Sequence, residues 1–372
     1  MHVAIMGRSL RPGVTGVGSH VGSLVESVGR ARPNQKVSVF LTKDAPHLSE
    51  PNLIEIRAPF PTPNEYVRAF WEQTIVPWQV DRRGIDLYHS PNFVLPIGLR
   101  VPSVVTIHDL TFLDPSLHRW TSHHYLRIMV ASALRKANAV IAVSEYTRQQ
   151  VEKQYPETHD RLHVIYQGFR RDIQRPYPAE VENFLHAEDI HYPYVLFVGT
   201  IEPRKNIPRL IAAFEQAVRA ADLEHHLYLV GGWGWKSREA QEALRSSSIA
   251  DRIHSAGYLA SKVLPLYYAG ADLFVYPSTE EGFGLPPLEA MVCGTPVITS
   301  NSSSLPEVVG DAAITVDPYD VEAIASAMVS VLTDAQLQAR LRDAGLERSQ
   351  RFSWAQSAEE HLRLYESVLG DA

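Results

Sequence analysis

Short apolar runs recur along the chain with amphipathic helical stretches between several of them, and no other feature restricts the possible folds as tightly. HVAIMG, KVSVFLT, DLYHS, SVVTIHD, AVIAVS and LHVIYQG fall within the first 168 residues. They are apolar at successive positions, not alternate ones, so both faces of each strand are covered. That is the condition of a parallel sheet flanked by helices. A second series, YVLFVGT, HLYLVGG, DRIHSAGY, DLFVYPS and TPVITS, starts at Tyr194 and is interleaved with helical patterns such as IPRLIAAFEQAVRA. The pattern predicts two α/β domains.

Between the two series, residues 171–192 lack a strand pattern, carry Pro176 and Pro178 and mix charges, as an interdomain connection does. We therefore expect a first domain over 1–170, a linker over 171–192, a second domain over 193–352 and a terminal helix over 353–372 with Ser353 as its N-cap. A chain of 372 residues, 45% hydrophobic, can bury two cores of ordinary size. The formal charge of −7, with no dense run of lysine or arginine, excludes a dedicated nucleic-acid binder.

Cys293 is the single cysteine, so no internal disulfide forms, and MHVAIMGR passes into a strand without the basic-then-apolar build of a signal peptide. A cytoplasmic location is expected. No apolar stretch approaches the roughly 20 residues that span a bilayer, which limits membrane contact to the periphery.

Ligands of open parallel sheets bind beyond the carboxyl ends of strands, where loops and helix N-termini present backbone N–H groups. Four such places carry suitable residues. In RSLRPGVTGVGSHVGSL, Gly13, Gly16 and Gly18 precede a helix and suit either a tight turn or close approach to an anion. Their spacing is G-x-x-G-x-G, not that of the dinucleotide fingerprint. His108 and Asp109 close VVTIHDL; the imidazole is either a structural histidine or a partner for a ligand hydroxyl at the reacting centre, with Asp109 orienting it or binding an acceptor.

VGTIEPRKNIPRLI joins a strand to a helix starting near Asn206 or Ile207. Arg204 and Lys205 arrive just before it, so two cations and the helix dipole can converge on a diphosphate; two solvated charges are the alternative. In YPSTEEGFGLPPLEAMVCGTPVITS, Glu281 lies in a loop opened by Gly282 and Gly284, while Pro286 and Pro287 suit the first turn of a helix carrying Glu289. Each carboxylate can accept two hydrogen bonds from a vicinal diol, and the N–H groups of Phe283, Gly284 and Leu285 can hold phosphates or a sugar. A helix N-terminus stabilised by an acid is the structural alternative. The doublets His123-His124 and His225-His226 do not form metal sites on this reading, because adjacent side chains diverge in helix and strand alike.

The stretch from Glu281 to Glu289 resembles the E-x7-E motif of family 4 retaining glycosyltransferases, and GTIEPRKN resembles the phosphate-binding Arg/Lys loop of the same family. With IHDL, the glycine loop and the tail helix, the resemblance covers essentially the whole chain. It implies the GT-B fold: two Rossmann-like, doubly wound parallel-sheet domains facing across a cleft, with the C-terminal helix crossing back to the first. It further implies that Glu289 binds the nucleotide ribose, Glu281 the transferred sugar, and Arg204 and Lys205 the diphosphate, with Gly282, Phe283, Gly284 and Leu285 lining the donor. His108 would lie beside the anomeric centre, Asp109 toward the acceptor, Gly16 near the phosphates, and Tyr258 with Leu259 near the base. The chain has no D-x-D pair to hold a bridging cation, so the resemblance implies transfer without metal or other cofactor.

The IHDL and GTIEPRKN variants are similar to those of bacterial mannosyltransferases of polysaccharide and glycolipid assembly, which makes GDP-mannose the expected donor and leaves UDP- and dTDP-hexoses open. The acceptor is expected to be a glycan, glycolipid or small-molecule hydroxyl on the first domain. There, RWTSHHYLRIMVASALRKA (119–137) is either an amphipathic core helix or a helix whose basic face touches an anionic membrane. A nucleotide-sugar 2-epimerase shares the layout and is the alternative from another enzyme class; a Rossmann oxidoreductase is disfavoured by the glycine spacing. The sequence is silent on oligomeric state.

Overall fold

The computed structural model describes residues 1–11, 16–113, 120–170 and 172–370, and from 120 to 124 the backbone alone. Among these residues the first series of runs forms β1 (Val3–Met6), β2 (Val37–Leu41), β3 (Leu53–Arg57), β4 (Leu87–Ser90), β5 (Ser103–Ile107), β6 (Ala139–Ala142) and β7 (Leu162–Val164). They pair in the order β3-β2-β1-β4-β5-β6-β7, every pair parallel. The second series forms β8 (Tyr194–Val198), β9 (His226–Val230), β10 (Ile253–Gly257), β11 (Leu273–Tyr276), β12 (Val297–Ser300) and β13 (Ile314–Val316), in the parallel order β10-β9-β8-β11-β12-β13.

The chain folds as two compact units, Met1–Arg170 with Phe352–Ala372, and Arg171–Arg351. In the first, successive side chains of β1 point to opposite faces. Val3 and Ile5 enter one core and Ala4 and Met6 another, and that two-sided burial is why the run reads as continuously apolar. In each sheet the winding direction reverses once, between β1 and β4 and between β8 and β11. Loops leaving two such strands diverge and open a crevice at their carboxyl ends. β1 leads into the glycine loop, β8 into GTIEPRKN and β11 into STEEGFG, so the motifs lie where the topology makes room.

The terminal helix Trp354–Gly370 belongs to the first unit. Its Trp354, Ala358, Leu362 and Tyr365 recur at helical spacing and enter the core that holds Val21, Leu24 and Val28 of the helix Val17–Ala31. Ser353 caps it as expected, its hydroxyl accepting from the Gln356 N–H at 3.2 Å. Where this helix begins, a Cβ on Gly168 would lie 2.3 Å from the Trp354 nitrogen, so only glycine allows the crossing.

One helix and two edge strands fall outside the strand and helix patterns of the sequence. Residues 171–192, read as a connection, include the helix Pro178–Ala187, started by a hydrogen bond of 2.8 Å from the Tyr177 N–H to Glu180 and docked on the second core through Phe184 and Leu185. The edge strands β3 and β13 do not read as continuous apolar runs because each is covered only in part. No helix among the described residues is long and apolar enough to cross a membrane.

Candidate functional site

In the second unit the loops leaving β8 and β11 are stitched to each other by backbone carbonyls that accept from neighbouring N–H, amide and hydroxyl groups. After β8 the chain makes a single 3-10 turn, Pro203–Lys205, and Asn206 takes the left-handed conformation at φ 60° before the helix Ile207–Ala221. The Asn206 amide donates to the carbonyls of Pro277 at 3.1 Å and Pro318 at 2.6 Å, and the Arg204 carbonyl accepts from the Thr279 N–H at 2.8 Å and the Ser278 hydroxyl at 2.9 Å. Arg204 and Lys205 are thereby fixed beside the strand end that carries Glu281.

The side chains then form one ion cluster. Glu281 Oε2 accepts from Arg204 Nη1 at 2.7 Å, and the same nitrogen donates to the Glu280 carbonyl at 2.9 Å. Arg204 Nε sits 2.6 Å from Glu202. Glu281 Oε1 accepts from Lys205 Nζ, from the Ser278 hydroxyl at 2.6 Å and from the Tyr276 hydroxyl at 3.0 Å, while the Tyr276 oxygen itself accepts from Lys205. Burial alone would push the Glu281 carboxyl up, but Arg204 and Lys205 outweigh it and hold its pKa at about 2. Burial pulls the Lys205 ammonium below its ordinary value against the opposing pull of Glu281, and raises the Tyr276 phenol.

The helix Leu285–Val292 starts as its prolines demand, after Gly284 at φ 118°. A Cβ on Gly284 would fall 2.8 Å from Leu305, so both conformation and space require glycine. Ser304 ties this entry loop down by donating to the carbonyls of Glu281 at 3.0 Å and Phe283 at 2.7 Å. Glu289, one turn into the helix, is buried, and its Oε2 accepts from the Tyr268 hydroxyl at 3.1 Å. Tyr258 follows β10 and is exposed, while Leu259 packs partly on the core.

The first unit holds the other expected residues. His108, buried just past β5, donates from Nε2 to the Pro91 carbonyl at 2.8 Å. Its ring meets His20 edge-on at 4.6 Å and Phe93 at 5.4 Å. Burial lowers its pKa against the contrary effects of Pro91 and Asp109, so the imidazole is neutral. Phe93 adopts a left-handed φ of 64°, a strained conformation of the kind that gathers at functional sites. Asp109 Oδ1 accepts from the Thr111 N–H at 3.0 Å and its hydroxyl at 2.7 Å, so this carboxylate also closes the turn that follows. Gly16, at φ 63°, opens the helix Val17–Ala31; Gly13 and the His123-His124 side chains lie outside the described residues. His225 and His226 diverge, His225 toward Asp272 at 3.7 Å and His226 onto His254 at 2.8 Å.

Sequence reasoning missed Tyr276 and Ser278, whose hydroxyls seat Glu281; their spacing of two at the end of β11 puts them on one side and was the available signal. It also missed Arg8, beyond β1, paired at 2.6 Å with Glu72, which is fully buried. Glu72 comes from a distant π-helical turn, Trp71–Ile75, which carries no motif.

Comparison with known proteins identifies the family and the fold. Residues 14–172 match the family described as Glycosyltransferase Family 4 and residues 181–348 the family described as Glycosyl transferases group 1. The chain is 34% identical over 281 residues, 75% of its length and 74% of the relative's, to O-antigen chain mannosyltransferase B of Escherichia coli. Among solved structures, sucrose-phosphate synthase of Thermosynechococcus elongatus superposes with a TM-score of 0.80 at 22% identity over 100% of both chains. Anabaena Alr3699/HepE, in complex with UDP and glucose, superposes with a TM-score of 0.77 at 21% identity over 99% of this chain and 100% of its own. These matches and the two reversing parallel sheets have one common account: this chain belongs to the family 4 glycosyltransferases and has their GT-B fold.

Proposed function

We propose that the chain is a retaining mannosyltransferase that moves α-mannose from GDP-mannose to a hydroxyl of a glycan, glycolipid or small molecule without a metal ion. The observation that carries this reading is the convergence of Arg204, Lys205 and Glu281 where the second sheet reverses, with Glu289 on the helix that follows. Glu281 Oε1 already receives Lys205, Tyr276 and Ser278, whereas Oε2 receives Arg204. A carboxylate oxygen has about two lone-pair directions, so Oε2 is the atom left to accept from a sugar hydroxyl. Glu289, oriented by Tyr268, accepts from the ribose diol. The two cations, with the N–H groups of Phe283, Gly284 and Leu285, face the diphosphate and supply the charge that a bridging metal would otherwise bring.

In the front-face step the bond from the anomeric carbon to the phosphate oxygen breaks while the acceptor oxygen bonds to that carbon from the same side. The acceptor proton passes to the departing phosphate, and no protein group becomes a nucleophile. In the first unit, neutral His108 accepts from a substrate hydroxyl, Gly16 leaves room for phosphate, and Asp109 fixes the turn on which the acceptor rests. Tyr258 and Leu259 form the floor for the base. We place the enzyme in the cytoplasm, with peripheral membrane contact through the helix Trp120–Lys136, which exposes Ile128.

The name of the mannosyltransferase relative supports mannose; the neighbour bound to UDP and glucose supports a UDP-hexose as the second reading. A thermal-shift panel of GDP, UDP, dTDP and ADP sugars tests the choice, because a ligand at about 100 times its dissociation constant stabilises by about 2.7 kcal/mol. GDP-mannose should give the largest shift, and transfer should persist in EDTA with an α product by NMR. A shift with UDP-glucose alone replaces the donor; loss of transfer in EDTA overturns the metal-free step.

A further inference from the structure

Two neighbouring imidazoles in the first unit have their nitrogens sorted by their partners. A carbonyl can only accept, so the Pro91 bond fixes a proton on His108 Nε2 and leaves Nδ1 as the lone-pair nitrogen of the neutral ring. His20 Nδ1 lies 2.9 Å from the Gln167 amide oxygen, which likewise only accepts, so His20 carries its proton there. Its Nε2 is then a bare acceptor, buried and without a hydrogen-bond partner among the described residues. Few buried polar groups in folded proteins are left so.

The place of His20 is as informative as its bonding. It stands in the first turn of the helix that follows the glycine loop, at the carboxyl end of β1 where the first sheet reverses. Its ring meets the His108 ring at 4.6 Å and 88°, and Phe93, at 61°, packs on His108 as well. His20 is itself backed by Trp354 of the terminal helix at 5.1 Å. We infer that His20 is a positioning residue for His108: backed by Trp354 and anchored by Gln167, it holds the His108 ring, whose tautomer the Pro91 carbonyl sets, in the orientation that presents Nδ1 to a substrate hydroxyl. This rests on the hydroxyl-binding role proposed for His108. Two acceptor nitrogens on neutral rings suit a neutral polyol rather than a phosphate or carboxylate. The titratable groups around the pair are Asp109 beside His108, and His361 and His89 behind His20; burial keeps all four histidines below their ordinary pKa.

The test titrates the His108 Cε1–H by NMR in the full-length protein and in parallel measures steady-state constants for GDP-mannose and for octyl α-mannoside as acceptor. His20→Ala should admit water and move the His108 titration up toward 6.5. It should raise the acceptor KM on the order of ten- to a hundredfold, the cost of a displaced binding group, and leave the donor KM unchanged. His20→Phe keeps an aromatic edge in the same space and should return the titration and most of the acceptor KM. A His20→Ala protein that melts earlier with an unmoved His108 titration would make His20 merely structural. Failure of His20→Phe to restore the titration would overturn the ring contact as the positioning element. The titration needs no turnover, so if it shifts as expected while the wild-type protein transfers from no nucleotide sugar, positioning stands and the proposed function falls.

Discussion

Replacing Glu281 by glutamine keeps the volume and shape of the side chain and removes only its charge. In the structure each oxygen faces a cation, Arg204 at 2.7 Å on one and Lys205 on the other. An amide has one oxygen, so whichever way it is turned its NH2 meets an ammonium or guanidinium donor. Breaking a buried pair by removing one partner costs about 3 to 5 kcal/mol. Lys205, buried and already held below its ordinary value, recovers part of that by shedding its proton, which puts the expected loss near the lower end. For a unit of this size about 3 kcal/mol lowers Tm by roughly 6 to 12 °C. Differential scanning fluorimetry reads that shift, and calorimetric titration with GDP reads the second consequence. Arg204 then loses its counter-charge while Lys205 regains its proton only when the diphosphate arrives, so GDP affinity should change little, while turnover of the nucleotide sugar falls by about two to three powers of ten because the sugar has lost its charged acceptor. Full turnover with unchanged GDP affinity would refute the sugar-binding role; equal loss of GDP affinity and turnover would make Glu281 a support for the fold alone.

Tyr268→Phe removes the hydroxyl that donates to Glu289 at 3.1 Å, and since a hydrogen bond to a charged group contributes about 1.5 to 3 kcal/mol, the donor KM should rise about tenfold or more with kcat little changed. An unaltered KM would put Glu289 outside the donor site. Acid should weaken the first unit. His361 titrates at about 4 in the fold against an ordinary 6.5, and His20 and His89 are lowered as well, all three by burial. The unfolded chain therefore takes up protons that the native state refuses, so stability is intact above 6.5 and falls as the pH drops toward 4, by up to about 1.4 kcal/mol per histidine per pH unit. Urea unfolding at about pH 7 and about pH 5 reads the loss, and equal stabilities would show that these rings are not buried neutral. Ile128, 67% exposed on the helix Trp120–Lys136, should contribute about 1.5 kcal/mol to vesicle binding, so Ile128→Ser should cut co-sedimentation with anionic vesicles by roughly tenfold. Equal sedimentation of the two proteins would remove this helix from the membrane contact.

What the sequence disclosed follows from burial. β1, β8 and β11 are covered on both faces and show as unbroken apolar runs, and β2 and β5, also buried throughout, are interrupted only by the small Ser38, Ser103 and Thr106. β3 alternates buried Leu53 and Ile56 with exposed Ile54 at an edge, which dilutes the same signal. The helix Pro178–Ala187 carries only the short stripe Val181, Phe184 and Leu185, none of them fully buried, among charged residues and with Pro176 and Pro178 just before and at its start, which is why it read as a linker. At the site, the residue types with unmistakable chemistry were legible: two glutamates about a Gly-Pro turn, and an Arg-Lys pair before a helix. The hydroxyls of Tyr276 and Ser278 were not, because their importance arises only when Glu281 folds back over the end of β11. His20 was equally silent, since its meaning depends on His108, far away in the chain.

The largest change concerns Glu281 itself. The family resemblance implies that it binds the sugar, and the structure adds that it is the counter-charge of the two residues that the same resemblance puts on the phosphates. The two roles are compatible because a carboxylate has two oxygens, one saturated by Lys205, Tyr276 and Ser278 and one shared with Arg204. They are also coupled. An ammonium as buried as that of Lys205 would tend to lose its proton if it stood alone, and a neutral amine could not stabilise a departing phosphate. Under the proposed reaction Glu281 therefore keeps Lys205 charged before the donor arrives, and the same anion then receives the sugar. An acid at this place serves the leaving group as much as the group transferred.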